Sequence, residues 1–267
     1  MQKILQVLHK LGKIPKFDSF LNFIYPPLCL QCDAYLNKKH LILCRTCIEL
    51  LNPIDPLEHC RFCLSRNDLS KTRICKNCRE KQNPIYKLSA VFDYMSSAAT
   101  LIKNLKYSFQ YNLGKGIGAY MAKHLIELNW PIPDVIIPVP ITFAHYLSRG
   151  YNQSFLLAKS IGKILSCPVK NSLIRHNLDF SQTGLSHKQR NKNQKGFSIK
   201  KYQNLENKNL LIVDDVITTG STLKSCAKTL AEEFPATIYA LAFCANTSPY
   251  SHNFNRSDQN FPIAERN

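Results

Sequence analysis

The stretch Leu210-Leu-Ile-Val-Asp-Asp-Val-Ile-Thr-Thr-Gly-Ser-Thr222 decides how this chain folds. Its four leading apolar residues make a short buried strand, too short and too rich in β-branching for a helix. Two carboxylates, Asp214 and Asp215, fall at the strand's C-terminal end, followed by Thr218, Thr219, Gly220, Ser221 and Thr222. Helical spacing then begins, with Leu223, Cys226, Ala227, Leu230 and Ala231 on one face. The order is strand, polar loop, helix, and the loop opens at the helix N-terminus. Free backbone N–H groups and the positive end of the helix dipole make such a loop a phosphate site. The hydroxyls add donors, and Gly220 lets the backbone approach closely. The paired acids do the opposite: they repel phosphate and accept hydrogen bonds from sugar hydroxyls. An anion nest beside paired acceptors suits a ribose 5-phosphate.

Working outward, segments 88–94 and 134–140 read as strands, and so do 169–174 and 237–244. Residues 98–105 and 113–128 read as helices, as does the run through Leu157, Ile161, Ile164 and Leu165. Gly114, Gly116 and Gly118 are spaced wrongly for a dinucleotide fingerprint and point to close helix packing. No phosphate loop of the Walker type occurs. Alternating strands and helices imply an α/β fold: a mostly parallel sheet with helices on both faces. Ligands of such sheets sit beyond the strand C-termini, so the 211–222 loop and the loop at 138–150 face one crevice. From Arg175 to Phe197 the chain is polar and basic without a core stripe, which suits a lid that excludes water from the crevice.

Eight of the eleven cysteines form four Cys-x-x-Cys pairs: Cys29/Cys32, Cys44/Cys47, Cys60/Cys63 and Cys75/Cys78. The second two pairs repeat the first two with a shift of 31 residues, an internal duplication. Two such turns complete a tetrahedral four-sulfur site, and the 11 residues between them allow a short hairpin. Structural zinc, two ions per chain, is therefore expected. The simplest pairing takes Cys29, Cys32, Cys44 and Cys47 for one ion and Cys60, Cys63, Cys75 and Cys78 for the other. Spacing also permits an interleaved arrangement. His40 and His59 are read as bystanders, and Cys167, Cys226 and Cys244 as small core residues.

These signals divide the chain into a helical lead (1–28), a double zinc ribbon (29–83), an α/β domain (84–244) and a disordered tail (245–267). Lys and Arg total 35 against 18 Asp and Glu, a formal charge of +17. That excess attracts polyanions at long range, and the attraction should fall with salt. No apolar run has the length of a membrane span, and the broken apolar N-terminus is too short for a secretory signal. The expected compartment is the cytoplasm.

The strand, paired acids and Thr/Gly/Ser loop resemble the 5-phosphoribosyl-1-pyrophosphate (PRPP) signature of type I phosphoribosyltransferases. Taken with the cysteine module, the chain resembles the ComF family, in which a double zinc ribbon precedes a phosphoribosyltransferase-like domain. The likeness is carried by Tyr25-Pro-Pro-Leu-Cys29, the four Cys pairs, Leu105-Lys-Tyr107 and Ile137-Pro-Val-Pro140. It continues through Arg149-Gly-Tyr-Asn-Gln153, Gln182-Thr-Gly-Leu-Ser186, Arg190 with Asn193, Gly196-Phe197, and Val213 to Thr222. The chain departs from that pattern at Thr142, His145 and Asp179.

The resemblance implies PRPP held with Mg²⁺: 5-phosphate on Thr218, Thr219, Gly220, Ser221 and Thr222, ribose hydroxyls on Asp214 and Asp215. Arg149 and Lys106 are the candidates for pyrophosphate contact. It also implies a role in DNA uptake during natural transformation, with single-stranded DNA and a protein of the competence machinery as partners. Two functions follow: a phosphoribosyltransferase of unknown acceptor, or a binding protein that uses the pocket to grip DNA or a partner. For the latter, the basic lid, Tyr107, Phe109, Tyr111 and the ribbons would supply charge and stacking.

Overall fold

The computed structural model describes residues 27–37, 41–66, 69, 71–79, 83–107, 110–176, 196–201 and 203–247. Residues 1–26 of the expected helical lead, 177–195 of the expected lid and 248–267 of the expected tail lie outside that set. His40 and Phe109 lie outside it as well.

The apolar runs become β1 (Lys87–Asp93), β2 (Val135–Pro138), β3 (Leu173–Arg175), β4 (Phe197–Ile199), β5 (Asn209–Ile217) and β6 (Thr237–Ala245). Four of them form a parallel sheet in the order β1-β6-β5-β2. Burial along β1, β5 and β6 is nearly continuous, as expected of strands covered on both faces. Alternation sorts the side chains into two cores. Leu211, Val213, Leu241 and Phe243 enter one; Leu210, Ile212, Ala240 and Ala242 enter the other.

The helices are α1 (Arg45–Glu49), α2 (Lys76–Arg79), α3 (Ser96–Tyr107), α4 (Leu113–Glu127), α5 (Phe143–Arg149), α6 (Gln153–Leu165) and α7 (Ser221–Ala231). The first core is closed by α3, α4 and α6 through Leu105, Met121 and Leu157, and the second by α7 through Leu223, Cys226 and Leu230. Gly118 permits the tight crossing of α4 on α6, because a Cβ there would lie 2.4 Å from Cβ of Ser160. Gly114 and Gly118 thus serve packing, whereas Gly116 has room for a Cβ. Ala231, expected on the apolar stripe of α7, is exposed.

Three expectations are corrected. The central strand does not stop at the acids. It runs on to Ile217, because Val216 and Ile217 continue the ladder opposite Cys244 and Ala245. The expected strand at 169–174 is split: Val169 bridges Ile136, while β3 pairs with β4 in a separate antiparallel ribbon. The connection from Pro138 to Arg149 is largely helical. Thr142 Oγ1 accepts from the His145 N–H at 3.3 Å and Gly150 closes α5 at φ +75°.

The cysteine modules lie against the sheet's exposed β1 edge. The Ile54 N–H donates to the Val91 carbonyl (3.0 Å), the Asp93 N–H to Asn52 (2.9 Å) and the Leu88 N–H to Arg61 (2.7 Å). Leu36, Leu43 and Cys47 enter the first core, and Ile54 and Leu64 the second. An edge strand that would otherwise present unpaired backbone groups is thereby covered.

Candidate functional site

The C-terminal half of β5 brings Asp214 and Asp215 toward the sheet's C-terminal rim. Asp214 Oδ1 accepts from the hydroxyl of Ser154, in the first turn of α6, and from the Asp215 N–H, both at 2.9 Å. Burial, and after it the charge of Asp215, pushes the Asp214 carboxyl up to about 7; these two hydrogen bonds and Lys106 oppose the shift. Asp215 is buried and pairs with Lys106 Nζ at 3.1 Å. Lys106, expected to reach pyrophosphate, is thus paired with one of the two acids.

Lys106 comes from the C-terminal end of α3, which the segment 149–153 ties into place. The Tyr151 hydroxyl donates to the Leu105 carbonyl, and Asn152 Nδ2 donates to the Val139 carbonyl at 2.9 Å. The same segment therefore fixes α3 and the end of β2 around the start of α6. Arg149 donates to Gln153 Oε1 (3.2 Å) and to the Tyr107 hydroxyl (3.4 Å), and its guanidinium lies 5.2 Å from the Tyr107 ring centre. His145 stands close by, and its pKa is lowered by partial burial and by the neighbouring charges of Arg149, Arg175 and Lys106. The mouth of the crevice is cationic and its floor carries two acids.

The phosphate-type loop follows directly. Thr218 and Thr219 are exposed, and Gly220 adopts φ +71°, a left-handed conformation that favours glycine. Thr219 Oγ1 donates to Ser221 Oγ (2.9 Å) and accepts the Ser221 N–H (3.3 Å). Ser221 and Thr222, read in sequence as loop, form the first turn of α7, whose leading N–H groups have no intrahelical acceptor. Asp214, Asp215, Lys106 and the loop thus meet at one rim, with Arg149 joined to them through Tyr107, the neighbour of Lys106. Ser154 escaped the sequence reading; its signal was its place next to Gln153 at the start of a helix.

The cysteines gather into two tetrads, Cys29/Cys32/Cys44/Cys47 and Cys60/Cys63/Cys75/Cys78, with the sulfurs of each set within 4.8 Å of one another. The neighbouring pairing, not the interleaved one, is the arrangement adopted. The duplication extends to single hydrogen bonds. The Cys44 N–H donates to Cys29 Sγ (3.3 Å) as the Cys75 N–H does to Cys60 Sγ (3.4 Å). Cys32 Sγ lies 3.7 Å from Cys44 Sγ, and Cys63 Sγ lies 3.6 Å from Cys75 Sγ. Each set could hold a zinc ion with four sulfurs and no open position. His59 is a bystander: Nδ1 donates to the Asp55 carbonyl (2.6 Å), and Nε2 accepts from Arg66 (2.9 Å). Cys167, Cys226 and Cys244 are buried in the cores.

A family model described as phosphoribosyl transferase domain matches residues 151–260. Competence protein F of Haemophilus influenzae is 29% identical over 221 residues, covering 79% of this chain and 92% of that protein. The DNA utilization protein YhgH of Salmonella typhi is 26% identical over 225 residues, 82% of this chain and 97% of that one. Competence protein ComFC of Bacillus subtilis is 25% identical over 209 residues, 77% and 78% of the two chains. The chain is thus similar over about four-fifths of its length to proteins named for competence and DNA utilization, and it has a phosphoribosyltransferase-type fold behind two cysteine tetrads suited to zinc ribbons.

Proposed function

We propose that this chain binds PRPP with Mg²⁺ in the rim of the sheet and serves DNA uptake in natural transformation. The observation that carries the reading is the meeting of Asp214, Asp215 and Lys106 with the Thr218–Thr222 loop at the end of β5. The loop would hold the 5-phosphate on backbone N–H groups, and the two acids would accept from the ribose hydroxyls. Arg149, with Lys106 once released from Asp215, would meet the pyrophosphate. Mg²⁺, when bound, would screen the charge of the departing pyrophosphate. The residues contribute mainly position and fixed charge around a cationic sugar. In this reading residues 29–83 are a double zinc ribbon and 84–244 the catalytic unit. The compartment is the cytoplasm, where thiolates stay reduced for metal.

The test is calorimetry of PRPP with Mg²⁺, followed by pyrophosphate release with candidate acceptors. Binding that is lost in Asp214→Ala/Asp215→Ala is the expected result. Absence of heat in the wild-type chain would sink the proposal.

A second reading, a pocket used to hold single-stranded DNA without transfer chemistry, is favoured by the exposed aromatics at the crevice mouth. Tyr107, beside Arg149, is 67% exposed and Tyr111, edge-on to Tyr151, is 59% exposed, and such rings stack on bases. That reading expects affinity for a single strand that falls steeply as salt rises. A flat salt response would count against it.

A further inference from the structure

Ser221, Lys224, Ser225 and Lys228 share one flank of α7, spaced i, i+3, i+4 and i+7. This flank is one wall of a groove of about 290 Å³, and Cys78 and Asn83 of the second cysteine module stand on the other. Among the described residues, no carboxylate lines the groove. Lys224 and Lys228 have no ion-pair partner among the described residues. Ser221 also belongs to the Thr218–Thr222 loop, whereas Asp214 and Asp215 do not line the groove. The groove therefore opens from the Ser221 end of the loop and runs along α7 without reaching the acids that would hold the sugar. Anything extending from the loop into it must be attached through the 5-phosphate, not through the sugar's anomeric carbon.

Resting on the reading of the loop as a 5-phosphate cradle, we propose that the groove receives the outer phosphates of a nucleoside 5′-polyphosphate. The phosphate nearest the ribose would occupy the loop. At about 1.5 Å of rise per residue, Lys224 lies about 4–5 Å and Lys228 about 10 Å beyond Ser221 along the helix. The flexible lysine stems bring both ammonium groups to a chain of two further phosphates, and Ser225 and Asn83 offer neutral donors. Cys78 ties the outer wall to the second tetrad, so metal binding there would also hold the groove's width.

The experiment titrates adenosine 5′-monophosphate, diphosphate and triphosphate into the full zinc-loaded chain at one Mg²⁺ concentration, with PRPP alongside. The triphosphate should bind about 10-fold or more tighter than the monophosphate, since each added phosphate gains a charge-assisted contact. Lys224→Gln/Lys228→Gln should remove that gain and leave the monophosphate and PRPP within about 2-fold of wild type. Both positions are at least partly exposed, so the fold tolerates the change. If PRPP binds but the triphosphate gains nothing, or its gain survives in the double variant, the groove proposal alone is overturned. If a short thymidylate strand, and not the triphosphate, depends on the two lysines, the groove belongs to a strand and the nucleotide proposal falls. If neither PRPP nor the monophosphate binds, the cradle falls and the groove with it.

Discussion

Two carboxylates, one ammonium and one serine hydroxyl set the charge state of the crevice. Asp214, with its carboxyl raised to about 7 by burial and by Asp215, holds its proton in the folded chain at pH values where an unfolded chain has lost it. Its contribution to stability is therefore complete below about pH 4 and is lost as the pH rises through about 7. Acceptance from ribose hydroxyls improves when the carboxyl is ionised, so PRPP affinity should rise by about 10-fold between about pH 6 and about pH 8. Asp214→Asn should flatten that profile in calorimetry, and an unchanged pH slope in the variant would refute the assignment. Ser154→Ala removes a donor to the ionised form and should shift the midpoint of the same profile upward. Lys106 and Asp215 form a largely buried pair. Lys106→Met strands a carboxylate there and should cost about 1–3 kcal/mol in denaturant unfolding. Adding Asp215→Asn should return part of that loss, because the stranded charge goes with it. The acids and the hydroxyl loop were legible in sequence because their chemistry is local and ordered along the chain. The Lys106–Asp215 pair was not, because it joins α3 to β5 across more than one hundred intervening residues.

At the scale of elements, the long strands and amphipathic helices followed from periodicity, since β5, β6, α4 and α6 bury most side chains at the spacing their sequences carry, although Ile164 of α6 is exposed. The short pieces did not. α5 has no buried residue and so leaves no apolar stripe; only the Thr142 cap and Gly150 mark its ends. β3 exists because β4 pairs with it, and that partner begins only at Phe197, the far end of the expected lid segment. The α4–α6 crossing gives a direct test of packing. Gly118→Ala should lower stability by about 1–3 kcal/mol, read as a fall in Tm, because its Cβ would lie 2.4 Å from Cβ of Ser160. Gly116→Ala, where the nearest atom is Ile42 Cδ1 at 3.9 Å, should leave Tm unchanged or slightly raised. Equal losses at the two positions would refute the packing argument.

Across the whole molecule the cysteine modules cover the β1 edge of the sheet, and zinc held by the tetrads would make that cover depend on metal. The Ser97 hydroxyl on α3 donates to the Cys47 carbonyl at 2.7 Å, Asn52 Nδ2 donates to Asp93 at 2.7 Å, and Cys29 and Cys47 belong to the first core. Metal loss should therefore loosen the α/β domain as well as the modules. Purified protein should carry two zinc ions, and Cys29→Ser and Cys60→Ser should each lower the count toward one. A strong chelator should lower Tm of the entire chain in a single transition, as binding supplies on the order of 10 kcal/mol per site. A chelated chain whose main transition does not move would show that the modules fold as independent beads. No helix among the described residues is long and apolar enough to cross a membrane. By itself, the order of residues determined the parallel α/β fold, the duplicated Cys-x-x-Cys module and the strand–acid–hydroxyl loop, because each is a pattern of near neighbours. The tertiary structure alone decided which four sulfurs converge, that Lys106 sits on Asp215, that Ser154 holds Asp214, and that the modules seal the β1 edge. These depend on distances between segments far apart in the chain, which local spacing does not encode.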